Sequence, residues 1–152
     1  MALTFHTYKF LELLNNNNEN FGEVLSLGQI NNLISKDDFK KLKIPEIKDK
    51  YSNKILLDNF NIKSVNSLDY SNFEGADLIH DLNLPIKDIK KQYDTIIDFG
   101  TSEHIFNIIQ NLKNISILCK TGGIILHCLP ANNNCGHGFW QFSPELFFQL
   151  YK

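Results

Sequence analysis

Residues 93–130 read YDTIIDFGTSEHIFNIIQNLKNISILCKTGGIILHCLP, and the rest of the chain is organised around them. Residues 94–99 are a short apolar run rich in β-branched side chains, and Gly100 bounds it, as suits a buried strand. Thr101 and Ser102 carry hydroxyls able to cap a helix. Ile105, Ile108, Ile109, Leu112, Ile115 and Leu118 then recur at helical spacing, a face that packs on a sheet. Thr121-Gly122-Gly123 is expected to stop that helix. Residues 124–129 form a second apolar run, ended by Pro130. Strand, helix and strand in this order make a parallel crossover unit.

Working outward, residues 23–27 are expected as a first strand meeting Gly28. Residues 64–68 are expected as a second strand ending at Asp69, and residues 76–79 as a third ending near Asp81. Residues 2–14 read as a short helix or arm, and residues 15–20 as a polar loop. Ile30, Leu33 and Ile34 suggest a helical turn. Residues 36–43 are charged, and Pro45 breaks any helix at or before Ile44. Residues 47–60 suggest a second helix, with Tyr51, Ile55, Leu56 and Phe60 on its apolar side, and residues 86–92 one helical turn. Residues 131–143 form a long polar loop, and Pro144 opens a last helix. The alternation predicts one α/β domain over 1–152, with residues 1–20 as its N-terminal arm and a mostly parallel sheet of about five strands.

Composition excludes several classes. The chain has 152 residues and a formal net charge of −2. No basic run accompanies that balance, so neither nucleic acid nor an anionic membrane is expected as partner. No stretch approaches the roughly 20 apolar residues of a membrane-spanning helix, and the N-terminus lacks the apolar core of a signal peptide. Three cysteines without CxxC spacing suit a reduced, cytoplasmic protein.

In an open parallel sheet, ligands bind beyond the carboxyl ends of the strands. Gly28 would let a ligand approach the backbone after the first strand. Asp69 is placed to accept both hydroxyls of a ribose, and Asp81 to accept from an exocyclic amine. Each aspartate equally suits capping a turn, Asp69 at residues 70–75 and Asp81 at Leu82-Asn83. Gly100 to His104 and the loop after Pro130 meet the same end. Glu103, His104, His137, Trp140 and Gln141 are therefore expected at one rim.

VLSLG (24–28), SLDYS (67–71), DLNLP (81–85), YDTIIDFGTSEHI (93–105) and KTGGIILHCLP (120–130) together resemble the class I S-adenosylmethionine-dependent methyltransferases. The last resembles that family's LKPGG turn, with Thr121 in place of proline. Residues 69–151 are more closely similar to a bacterial methyltransferase group sharing GTxEHxFN and GHGFxQFSPELF segments. The resemblance implies a Rossmann-like methyltransferase sandwich, S-adenosyl-L-methionine as cofactor, and methyl transfer to a small-molecule or sugar-like acceptor. It assigns Gly28, Asp69, Asp81 and Gly100 to the cofactor. The chain departs from the family in four ways, one being that DLNLP (81–85) is one residue tighter than the usual family pattern. The first loop keeps one glycine, the gap from Gly28 to Asp69 exceeds the usual roughly 20 residues, and the C-terminal strands are absent. Either the chain is a fragment or it is a shortened fold with an exposed sheet edge, for which a homodimer or a poorly soluble monomer is expected.

Transfer to a hydroxyl or a protonated amine needs a general base. His137, between two glycines in the long loop, is the first candidate, with His104 and Glu103 after it. His127, inside an apolar strand, reads as a satisfied core histidine. His104, His127 and His137 lack any local ligand spacing such as HExxH, so no metal is expected. Phe139, Trp140 and Phe142 are too apolar for a free tail, so their loop is expected to dock, as a lid over residues 100–104 or as a pin for the last helix. The alternative function is a non-catalytic, degenerate module acting as a subunit or assembly partner.

Overall fold

The computed structural model describes residues 1–17 and 19–151. Its central sheet has five strands: β2 (Gly22–Leu27), β4 (Ile62–Asp69), β5 (Leu78–Ile79), β6 (Tyr93–Asp98) and β7 (Cys119–His127). Every pairing is parallel and the order is β5-β4-β2-β6-β7. Val24 faces Val65 on one side and Thr95 on the other, so β2 is central and residues 24–27 are buried. All five expected strands are present, and β6 and β7 are neighbours as the crossover unit requires. β5 is shorter than expected, at two residues.

Alternation along the central strands feeds two cores. Val24 and Ile97 face α1 (Phe5–Asn16), α2 (Lys36–Leu42) and α3 (Asn53–Asn59), packing with Tyr8, Leu11, Phe39, Leu42, Ile55 and Leu56. Leu25, Leu27 and Ile96 face the other way, onto Leu112, Ile115 and Leu118 of α4 (Ile108–Leu118). Period-2 strands and one apolar stripe per helix thus give helices on both faces of a parallel sheet.

Several local expectations are corrected. Of the helix or arm expected over residues 2–14, the helix is present as α1, and it is docked: β1 (Ala2–Leu3) pairs with β3 (Asn31–Asn32), and Leu3 and Leu11 are fully buried. Residues 30–34 form no helical turn, because β3 takes their place. Of residues 47–60, only 53–59 are helical, and residues 86–92 are irregular. Asn15 and Asn16 belong to α1, whereas Asn18 lies outside the described residues.

The crossover helix starts later than its hydroxyls suggested. Ser102–His104 is a 3-10 turn, and Asn107 caps α4 through its side chain, which accepts from Gln110 N. Thr101 and Ser102 spend their hydroxyls on the sheet instead, donating to Leu27 O and Asp98 Oδ2. α4 ends at Leu118, before the glycines. Residues 120–123 bulge out of β7 between Cys119, which pairs with Tyr93, and Ile124, which pairs with Thr95. Among the described residues β7 has a strand on one side only. α5 (Pro144–Leu150) follows the long loop and has no buried residue. No helix among the described residues is long and apolar enough to cross a membrane.

Candidate functional site at the carboxyl end of the sheet

Strand order reverses beside β2: the chain builds outward through β4 and β5, then returns to place β6 on the other side. A crevice opens there beyond the carboxyl ends. It is a cavity of about 440 Å³, and Gly28, Asp69, Asp81, Gly100 and His104 all line it. The four positions expected to hold a cofactor therefore share one pocket, of a size usual for small-molecule sites.

Each lining residue is set by the strand before it. Gly28 follows β2 with φ +85°, and a Cβ there would meet Met1 Sδ at 3.3 Å, Thr101 Oγ1 at 3.5 Å and Asp69 Oδ2 at 3.6 Å. Only glycine leaves this backbone open to a ligand. Asp69 ends β4. Its Oδ1 accepts from Tyr70 N at 2.6 Å, a local turn contact, while Oδ2 points toward Gly28 without a hydrogen bond among the described residues. Asp81 follows β5, and its Oδ1 accepts from Asn83 N at 2.9 Å and Asn83 Nδ2 at 2.8 Å. Both aspartates thus use one oxygen as a turn cap and keep the other.

Several contributors escaped the sequence reading. Asn114, on the buried side of α4, donates to Leu82 O at 3.1 Å and Leu84 O at 2.9 Å, and accepts from Ile86 N at 3.2 Å. It fixes the loop that carries Asp81. Asn107 N donates to Asn83 Oδ1 at 2.9 Å and secures the same loop. Gln29 is buried in the pocket wall. Its Nε2 donates to Gly75 O at 3.2 Å, and its Oε1 has no partner among the described residues. Met1 also lines the pocket. An apolar stripe seen in sequence hides asparagines that bond loops, and no spacing rule marks them.

The rim is built on Asp98, the last residue of β6 and fully buried. It accepts from Thr101 N and Ser102 N, both at 3.2 Å, from Ser102 Oγ at 2.5 Å, and meets His127 Nδ1 at 2.9 Å. His127 Nε2 in turn meets the Tyr151 hydroxyl at 2.9 Å. His127 is the satisfied histidine that its strand position suggested. Held by this network, the 3-10 turn buries Glu103 and exposes His104.

The long loop docks on that turn. Phe139 N donates to Glu103 O at 2.6 Å, Trp140 Nε1 donates to Ile105 O at 2.9 Å, and Phe139 meets Phe106 edge-on. Docking brings His137 Nε2 to 3.2 Å from Glu103 Oε1, and the His104 and His137 rings to 4.9 Å between centroids. The three candidate bases form one cluster. Among them His104 lines the pocket, while Glu103 and His137 stand behind it. Phe142 also contacts Phe147 of α5, so the loop both docks and pins.

These features define an α/β protein with a five-stranded parallel sheet and a pocket of mixed polar and apolar lining at its carboxyl end. Compared with family models, curated proteins and solved structures, the chain matches none of them.

Proposed function

We propose that the protein is a Rossmann-like methyltransferase that transfers a methyl group from S-adenosylmethionine to a small-molecule or sugar-like acceptor. The observation that carries this reading is the convergence of Gly28, Asp69, Asp81 and Gly100 on one pocket at the strand-order reversal. The residues fit the cofactor's chemistry. Asp69 Oδ2 is available for ribose hydroxyls beside the open Gly28 backbone, and the second oxygen of Asp81 for an exocyclic amine. Gln29 Oε1, buried without a partner, adds an acceptor for an ammonium or amide donor.

When bound, S-adenosylmethionine supplies an electrophilic methyl on a sulfonium. The chain's own work is mostly positioning, since holding reactants in attack geometry removes a large part of the barrier. A proton leaving the acceptor falls to the rim cluster. His104 stands on the pocket side of that cluster, and Glu103 Oε1 orients the His137 imidazole behind it, as a buried carboxylate does for a general base.

One observation favours the alternative of a non-catalytic module: Met1 lines the pocket and sits against Gly28. Calorimetry separates the readings. S-adenosylmethionine should bind the purified chain. Asp69→Ala should weaken binding by about 1.5–3 kcal/mol, the range for a hydrogen bond to a charged group. Binding unchanged in that variant removes Asp69 from the site, and no binding by the wild type selects the non-catalytic module.

A further inference from the structure

We propose that Glu103, His104 and His137 form a binding site for a divalent transition-metal ion at the rim of the pocket. One ligand atom from each lies within 4.8 Å of the other two. Glu103 Oε1 is 3.2 Å from His137 Nε2 and 3.8 Å from His104 Nε2. Bonds of about 2.0–2.1 Å around a tetrahedral ion separate ligand atoms by roughly 3.3 Å. The Glu103–His137 pair already has that spacing. His104 needs only a side-chain swing, and both imidazoles are exposed enough to make it, at 47% and 57%.

Glu103 supplies the independent reason. Its side chain is 1% exposed and its Oε2 has no hydrogen-bond partner among the described residues. The ion-pair partners of this carboxylate among the described residues are the two histidines. A buried carboxylate left half-satisfied is costly. A dication held with two neutral imidazoles supplies the missing opposite charge.

The donor set selects the ion. Two imidazole nitrogens and one carboxylate oxygen suit zinc, cobalt or nickel, whereas magnesium and calcium prefer all-oxygen shells. Three protein ligands leave a position open for a small molecule, the pattern of a catalytic rather than a structural zinc. His104 also lines the pocket, so that position belongs to its rim. Resting on the methyl-transfer reading, the ion would hold the acceptor oxygen and lower its pKa, doing the work otherwise assigned to a histidine base. Metal binding itself does not depend on that reading. The grouping escapes any sequence spacing because His137 arrives only when its loop docks.

The test uses the full, untagged chain after chelator treatment, with zinc followed by calorimetry and cobalt by visible absorption. One equivalent of zinc should bind, and cobalt should give the d–d bands of a low-coordinate site. His104→Ala and His137→Ala, both at exposed positions, should each lower zinc affinity by at least the about 10–100-fold lost with an outer-shell partner, with circular dichroism unchanged. Glu103→Gln should do the same if it folds. No zinc binding overturns the proposal, as does binding retained in the double histidine variant or abolished by Cys135→Ser alone. S-adenosylmethionine titrated into the same samples keeps the two ideas apart. Zinc binding without S-adenosylmethionine binding upholds the metal site and removes the methyl-transfer reading, and the converse removes the metal site.

Discussion

The sheet has a cleft at each end, and the larger one is the less promising. At the amino end, Asp94, Lys120 and Gly22 line a cavity of about 660 Å³, against about 440 Å³ at the carboxyl end. Charge separates them. Asp94 takes Lys120 Nζ at 2.8 Å and Glu23 N at 2.8 Å, and Glu23 pairs with Lys91 at 3.3 Å and Lys120 at 3.6 Å. At the carboxyl end Gln29 Oε1 and Glu103 Oε2 are buried without partners, and Asp69 Oδ2 stands beside an open backbone. Buried polar atoms are nearly always paired, so each exception asks for an explanation. Charges that satisfy one another hold strands together, whereas unpaired buried acceptors keep capacity for a ligand's donors. Three substitutions probe that contrast, in falling order of effect.

Asp98→Ala should have the largest effect. This carboxylate is the exception at the carboxyl end, buried and fully paired, and it carries the turn that presents Glu103 and His104. Removing it leaves His127 Nδ1, Ser102 Oγ and two backbone N–H groups without their acceptor. A hydrogen bond to a charged group contributes about 1.5–3 kcal/mol, so losing several costs a large share of the roughly 5–15 kcal/mol that stabilises a domain. Urea denaturation should show that loss. A cost below about 1 kcal/mol would mean that Asp98 behaves like a surface charge and that the rim is anchored elsewhere.

How much of this was legible follows the same division. Strand ends were readable because β-branched runs stop at glycine or aspartate, and a parallel sheet brings those stops together. Gly28, Asp69, Asp81 and Gly100 were placed by that logic. Residues 30–34 misled because Ile30, Leu33 and Ile34 mimic a helical turn, while the chain there pairs with Ala2 and Leu3 across a long separation. The glycines at 122–123 misled because a bulge inside a strand and a helix stop use the same residues. Asp98 looked like one more strand residue. Its four partners come from Thr101, Ser102 and His127, and only the fold brings His127 near. The cluster of Glu103, His104 and His137 is illegible for the same reason: its third member comes from a docked loop 33 positions after His104.

Gly138→Ala should have the intermediate effect and divide the carboxyl end into strand-built and loop-built parts. Gly138 has φ +72°, and a Cβ there would lie 2.7 Å from Glu103 O and 2.9 Å from Glu103 Cγ. The loop must lift, losing the Phe139 N to Glu103 O bond. Strain of this kind costs about 1–3 kcal/mol. Limited proteolysis should then cut within residues 131–143, and zinc binding should fall with His137 withdrawn. S-adenosylmethionine binding should hold, because Asp69 and Gly28 sit on strand ends that the loop does not touch. Loss of both ligands together would join the two parts into one cooperative site.

Asp94→Asn should have the smallest effect and act at the other cleft. The hydrogen bond from Lys120, and then that from the Glu23 backbone N–H, hold the Asp94 carboxyl below its ordinary range. A group whose pKa is lower folded than unfolded stabilises the fold above its unfolded value, about 3.9 for aspartate. That contribution is lost as pH falls through the folded value. Lys120 is raised, chiefly by its hydrogen bond to Asp94, so its share is present below the ordinary lysine value and lost as pH rises through the folded one. Between those limits both contribute. Exposed pairs are screened, so the difference in Tm between wild type and variant near neutral pH should be no more than about 3 °C. It should begin to shrink below about pH 4, where the unfolded carboxyl takes up its proton, vanish only below the lowered folded value, and shrink with added salt. The ligands of the carboxyl end should bind the variant unchanged. A Tm difference that persists at pH 2 would assign Asp94 a packing role. A change in S-adenosylmethionine or zinc binding would undo the contrast itself, by showing that the paired charges at one end of the sheet set the open ones at the other.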